Sequence, residues 1–251
     1  MSDALHSTLE FVIHGYDCGY GGPLRAFALV NFLQEAAGEN ATRLGFGMDD
    51  LHARGWTWML SRLDLRVDRL PRDREKVFVR TWPAGTHKLF AYRDIAMSDA
   101  EGRSLVRAVY AYLIVDIAAR RPLRPESIFG PVPPQPGDPH PVPDFSYDIP
   151  LAVDPVLQFT QCVRGRHIDH NGHANNAHLV NWLVDASGCG ESLSALRVEF
   201  AAEALEGDLL AAARGEPRDG SPFGGDIASS SALAELRCGE TRVARALVGR
   251  R

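Results

Sequence analysis

Apolar positions change rhythm along this chain, and the changes mark out its elements. Leu9 to His14 has strand character. Pro23, whose missing N–H does no harm at a helix start, precedes a stretch from Leu24 to Ala37 in which Phe27, Val30, Phe32, Leu33 and Ala37 recur near helical spacing. Trp56 to Val67, Lys76 to Trp82, Phe90 to Ala96 and Leu105 to Val115 are rich in branched, aromatic or alternating residues and are separated by Pro, Gly and Asp groups. They predict a meandering antiparallel sheet. One long helix followed by long strands predicts an α+β layer in which the sheet wraps the helix.

Residues 121 to 155 then hold an unusual share of the 16 prolines, including the run from Gly130 to Pro136. Such a segment cannot donate regular ladder hydrogen bonds and predicts a semi-rigid extended connector. Beyond it the order restarts: a strand from Val156 to Arg164, a helix from about Asn175 to Ala186, and strands near Leu193 to Phe200, Asp208 to Arg214, Ile227 to Cys238 and Thr241 to Val248. The two predicted helices also echo one another. Leu29 to Gly38 aligns with Leu179 to Gly188 at an offset of 150, with six of ten pairs identical and three more similar. Self-similarity of this kind marks an internal repeat. The expected organisation is a first repeat over residues 1–130, a proline-rich linker over 131–152 and a second repeat over 153–251.

A content of 45% hydrophobic and 24% charged residues describes a globular chain with ample core material, and a net charge of −5 gives no sign of a general nucleic-acid binder. All basic residues but Lys76 and Lys88 are arginines, crowded at Arg120, Arg121 and Arg124 and from Arg62 to Arg74. Most such side chains are solvated surface, but guanidinium groups also suit phosphates and carboxylates, so an acidic carrier or nucleotide-bearing substrate stays open. The four widely spaced cysteines form no CxxC pair and fit a reducing compartment. No basic-then-apolar leader opens the chain, and no segment approaches the roughly 20 apolar residues of a membrane span. The expectation is a cytoplasmic protein with neither nucleic-acid nor membrane partner.

The densest polar stretch runs from Arg166 to His178, immediately before the second helix. Asp169, Asn171 and His173 alternate, and in extended backbone they project to one side. The helix start at Ala174 and Asn175 offers unpaired backbone N–H groups and the positive end of a dipole, an oxyanion site in prospect. His173 is then a general acid or base, Asp169 an orienting carboxylate and Asn171 an amide able to hold water or substrate. Acyl transfer to water uses those parts. Capping and turn roles are the alternative, most of all for Asn175 and Asn176. A metal site built from His167, His170, His173 and His178 is a further alternative, but their spacing matches no HExxH pair; the reading adopted contains no metal and no cofactor.

The segment Asp169-His170-Asn171-Gly172-His173-Ala174-Asn175-Asn176 resembles the D-x-N-x-H-x-N-N segment of the plant-type acyl-[acyl-carrier-protein] thioesterase family, which includes bacterial members. The resemblance implies two tandem hot-dog repeats forming a pseudo-dimer, with this segment entering the second hot-dog helix. It also implies a catalytic glutamate in a later strand, which Val198-Glu199-Phe200-Ala201-Ala202-Glu203 places at Glu203. A neighbouring cysteine common in plant members is Ala204 here. In the first repeat the likeness extends over Phe32 to Ala37, Trp56 to Pro71 and Arg120-Arg121-Pro122. The plant members' transit peptide and N-terminal extension have no counterpart, as expected of a bacterial member.

At the repeat offset, Asp169, Asn171 and His173 map back to Gly19, Gly21 and Pro23, so the chemistry belongs to the second repeat alone. The resemblance assigns the acyl-chain pocket to the first, with Trp56, Trp58, Met59 and Trp82 as candidate lining residues; core packing is the other role open to each. The expected activity is hydrolysis of fatty acyl-[acyl-carrier-protein] thioesters by activated water, with acyl carrier protein as partner, in a monomeric pseudo-dimer or a homodimer. An acyl-CoA thioesterase of the same fold and a non-catalytic acyl-binding protein are the rivals.

Overall fold

The computed structural model describes residues 2–130, 149–217, 223 and 228–251. Its strands are β1 (Ser7–Val12), β2 (Trp56–Val67), β3 (Lys76–His87), β4 (Phe90–Asp99), β5 (Ser104–Asp116), β6 (Arg121–Leu123), β7 (Ala152–Cys162), β8 (Leu193–Phe200), β9 (Leu209–Pro217), β10 (Ser230–Cys238) and β11 (Thr241–Arg250). The helices are α1 (Ala26–Arg43), α2 (Met48–His52), α3 (Glu126–Phe129) and α4 (Asn176–Ser187). All strands belong to one sheet in the order β1-β3-β4-β5-β2-β8-β11-β10-β9-β7, with β6 paired to β5. The order is a palindrome of two five-stranded halves, each folded against its own long helix. These are two hot-dog repeats.

Within each half the expected meander holds only in part. β3, β4 and β5 are successive antiparallel neighbours, but β2 skips to the far side of β5 and so becomes free to pair with β8. That pairing, from Arg62↔Glu199 to Arg66↔Ala195, is the strand contact between the repeats. At its centre Asp64 is fully buried; it accepts hydrogen bonds from Arg66 and from Arg197 Nε at 2.9 Å. Phe223 lies over both guanidinium groups, at 4.8 and 5.4 Å. Beside it Glu199 accepts from Arg62 at 3.2 Å and from Arg245 at 2.6 Å.

α1 buries Ala26, Leu29, Val30, Leu33, Ala36, Ala37, Asn40 and Ala41, an i, i+3, i+4 stripe against the sheet. Each large aliphatic side chain in it contributes on the order of 1.5–3 kcal/mol by leaving water. The helix runs past the predicted end at Ala37 because Asn40, polar yet buried, finds partners inside: its amide donates to Ser7 Oγ at 2.7 Å and Leu5 O at 3.1 Å. α4 ends in left-handed Gly188, a standard helix stop. The first strand begins and ends two residues earlier than expected, at Ser7–Val12. Most of the expected linker, 131–148, lies outside the described residues, and its last residue, Ala152, opens β7.

The offset of 150 that relates the helices also relates hydrogen bonds. Asp17 N donates to His14 O and His167 N to Arg164 O, both at 2.8 Å. Gly19 N to Pro23 O (2.8 Å) answers Asp169 N to His173 O (2.9 Å), and Arg25 N to Asp17 O (3.0 Å) answers Asn175 N to His167 O (2.9 Å). Leu24 N to Pro71 O corresponds to Ala174 N to Ala204 O. The two halves share one backbone scaffold and differ in what it carries.

Candidate active site

The polar stretch before α4 is a turn, not the extended segment its alternation suggested. A single 3-10 turn, Gly165–His167, leads to an antiparallel bridge between Ile168 and Ala174, and between them the chain reverses through Gly172 at φ 85°. Only glycine adopts that conformation without a steric cost. Asp169 and His173 therefore face one another across a hairpin. Asp169 Oδ1 accepts the Asn171 N–H at 2.8 Å, which shapes the turn, while the Asn171 side chain is exposed.

His173 Nε2 lies 3.2 Å from Glu203 Oε2. Glu203 sits in the loop after β8 rather than in a strand, and the bond from Ala174 N to Ala204 O at 2.8 Å fixes that loop against the turn. The structure thus brings Asp169, Asn171, His173 and Glu203 to one loop cluster at the start of α4. Arg120, from the turn between β5 and β6 of the first repeat, reaches the same Glu203 oxygen at 4.0 Å. Local sequence carried no signal for that contact, since it depends on strand pairing across the seam.

The expected oxyanion donors need correction. The N–H groups of Ala174 and Asn175 are already committed, to Ala204 O and His167 O. Asn175 is the N-cap: its side chain accepts from Ala177 N at 2.8 Å and its carbonyl from His178 N at 2.9 Å. Among the described residues this leaves Asn176 N–H, the first of α4, with no acceptor. The capping role weighed for Asn175 is the one the structure displays, and it pushes the open donor one residue further on.

Behind the turn lies an aromatic cluster. His178 lies tilted against Phe27 of α1 at 4.4 Å and stacks on Trp182 at 5.8 Å, and His167 packs against His178 at 4.8 Å and Trp182 at 5.1 Å. Burial pushes both imidazoles below their ordinary pKa; Arg166 and Arg164 reinforce this at His167, and His167 does so at His178. These two histidines pack the turn against the helix and carry no metal-ligand geometry. Among the described residues no group of three or more His, Cys, Asp or Glu is gathered for a metal ion.

The four candidate pocket residues part company. Trp58 lies on the helix side of β2, its Nε1 donating to Phe46 O at 2.8 Å, in a cluster with Tyr112 and Phe129; Trp56 shares its strand parity. Met59 has the opposite parity and is 41% exposed. Trp82 is buried against His6 and Arg80, opposite in parity to Val77 and Val79 of the core. Met59 and Trp82 are therefore not on the face that α1 covers.

Comparison with known proteins gives one consistent answer. The family model for the acyl-ACP thioesterase N-terminal domain matches residues 5–128. The palmitoyl-acyl carrier protein thioesterase of Gossypium hirsutum is 26% identical over 226 residues, covering 84% of this chain and 55% of that protein. An acyl-ACP thioesterase from Bacteroides thetaiotaomicron superposes with a TM-score of 0.82 at 25% identity over 99% of both chains. The chain belongs to the acyl-ACP thioesterase family. The 12:0-ACP thioesterase from Umbellularia californica shares the acyl-ACP thioesterase fold, with a TM-score of 0.80 at 23% identity over 98% of this chain and 97% of that one. The chain spans about half the length of the curated plant relatives it matches. No helix among the described residues is long and apolar enough to cross a membrane.

Proposed function

We propose that this protein hydrolyses fatty acyl-[acyl-carrier-protein] thioesters to free fatty acid and carrier protein by direct attack of water. The observation that carries the reading is the His173–Glu203 contact at 3.2 Å beside the open N–H of Asn176 at the head of α4. In the mechanism, the thioester carbonyl oxygen points at that N–H, where the helix dipole also favours negative charge. Water, hydrogen-bonded to the His173–Glu203 pair from its open side, gives up a proton to that pair as its oxygen bonds to the carbonyl carbon and the C=O electron pair moves onto oxygen. Collapse restores the C=O bond, breaks C–S and returns the proton to the departing sulfur. Asp169 holds the turn that presents His173, and Asn171 lies at the open side to meet water or substrate.

The first repeat, residues 1–130, holds the acyl chain beneath α1 in this reading, with Trp56 and Trp58 on that face. An acidic carrier suits the exposed guanidinium groups around the site: Arg120, Arg121 and Arg124 after β5, and Arg164 and Arg166 on the turn before it. The β2–β8 pairing joins the repeats within one chain, so a monomer holds a complete site; the setting is cytoplasmic. The test is thiol release from a panel of short to long acyl chains on carrier protein and on CoA. Carrier thioesters should give the higher kcat/KM; a preference for CoA would move the assignment to that carrier. Tight acyl binding with no hydrolysis on either carrier would refute the enzyme reading.

A further inference from the structure

The first repeat reaches Glu203 through Arg120. β5 ends at Asp116, whose Oδ1 accepts Ala119 N–H at 2.7 Å, and the chain turns back into β6, which pairs with β5 from Ile114↔Leu123 to Asp116↔Arg121. Arg120 stands at the end of this turn with φ 51°, the left-handed conformation that closes the tight return. The tight return and the backbone conformation aim the guanidinium across the boundary between the repeats. Its Nη2 lies 4.0 Å from the Glu203 oxygen that also faces His173, and Glu203 is the one ion-pair partner recorded for it among the described residues.

We propose that Arg120 is a positioning residue of the thioesterase: it keeps the Glu203 carboxylate turned toward His173 while substrate covers the site. The inference rests on the hydrolytic reading above. The Arg120 side chain is 84% exposed, and an exposed pair at this distance contributes little. Its effect grows when the acyl thioester and its carrier displace water from the mouth, because the same charges interact more strongly at lower effective dielectric. The other ionisable groups around Glu203 are His173 and Asp169 on the facing turn and Glu206, whose Oε1 lies against Gly165. Arg164 and Arg166 flank Gly165 on that turn, but Arg120 is the guanidinium that reaches the Glu203 oxygen itself. Catalysis, in this view, draws one group from the repeat that carries no acid–base set of its own.

The experiment measures kcat and KM on a carrier-bound acyl thioester for wild type, Arg120→Met, Arg120→Lys, Glu203→Gln and the double variant Arg120→Met/Glu203→Gln, with folding followed by circular dichroism. Arg120→Met should lower kcat about tenfold with KM within about twofold, and lysine should restore most of the loss. In the Glu203→Gln background the methionine substitution should cost less than about twofold, because its effect runs through the carboxylate. An unchanged kcat in Arg120→Met, a rise in KM alone, or an equal loss in both backgrounds would each overturn the proposal. A wild type inactive on every thioester removes the hydrolytic reading and this role together, whereas an active wild type with an unaffected Arg120→Met removes this role alone.

Discussion

Asn176→Pro isolates the oxyanion assignment from everything else at the site. Asn176 is the first residue of α4, the helical position at which proline is favoured because no intrahelical partner awaits its N–H. The preceding residue, Asn175, has φ −55° and ψ 133°, within the extended region that a following proline demands. The cap survives, since Asn175 still accepts from Ala177 and His178. The substitution thus deletes one hydrogen-bond donor and leaves the helix intact. Loss of one oxyanion donor costs about 2.7–4 kcal/mol of transition-state stabilisation, or roughly 10²–10³ in kcat. Asn176→Ala, which keeps the N–H, serves as the side-chain control. The assay is steady-state thiol release together with thermal unfolding. A folded Asn176→Pro protein with kcat near that of Asn176→Ala would show that the oxyanion is held elsewhere.

Other outcomes follow from the same geometry. Asp169→Ala, His173→Ala and Glu203→Ala should each lower turnover at least about tenfold without unfolding the protein; any of the three that turns over like wild type loses its assignment. Asp64→Ala strands two buried guanidinium groups at the seam and should cost about 3–5 kcal/mol, readable as a lower urea midpoint, whereas replacing Asp64, Arg66 and Arg197 together by apolar residues should cost much less. Because burial depresses both His167 and His178, the unfolded chain takes up their protons first as pH falls. Their contribution is therefore complete above the ordinary value of 6.5 and declines as pH drops from there toward the lowered folded values. His178→Phe should flatten that decline in denaturation midpoints measured from pH 7 to 5, and an unchanged slope would count against it.

Strand identity was most legible where pattern and punctuation agreed. Trp56–Val67 is legible to the residue because its branched and aromatic run is bounded by Gly55 and Asp68, whereas Leu193–Phe200 matches its expected span although the family likeness extends that strand to Glu203. α1 was read short because Gly38 and buried Asn40 interrupt the apolar stripe, and only the fold supplies Asn40 with Ser7 and Leu5. Periodicity also says nothing about which strand β2 chooses. At the site, residue types revealed the chemistry, but strand parity was the wrong geometry for a segment that reverses at Gly172. That Ala174 and Asn175 are not open donors is invisible in the sequence, because carbonyls from distant backbone, Ala204 and His167, consume the N–H groups that a helix start ordinarily leaves open. Glu203 came from family likeness alone, and Arg120 could be joined to it only once the two repeats were set side by side.

The shared hydrogen-bond frame has a consequence for how such a protein changes over time. In an assembly of two identical chains, every substitution made in one turn is made in the other. A tandem chain escapes that rule. Gly19, Gly21, Pro23 and Leu70 occupy the stations that Asp169, Asn171, His173 and Glu203 hold in the other half, on backbone already bonded in the same way. Mutation can explore the first turn while the second keeps its residues, so on the proposed reading that turn, though not the pocket and Arg120 around it, is a spare template on which a second chemistry can be written.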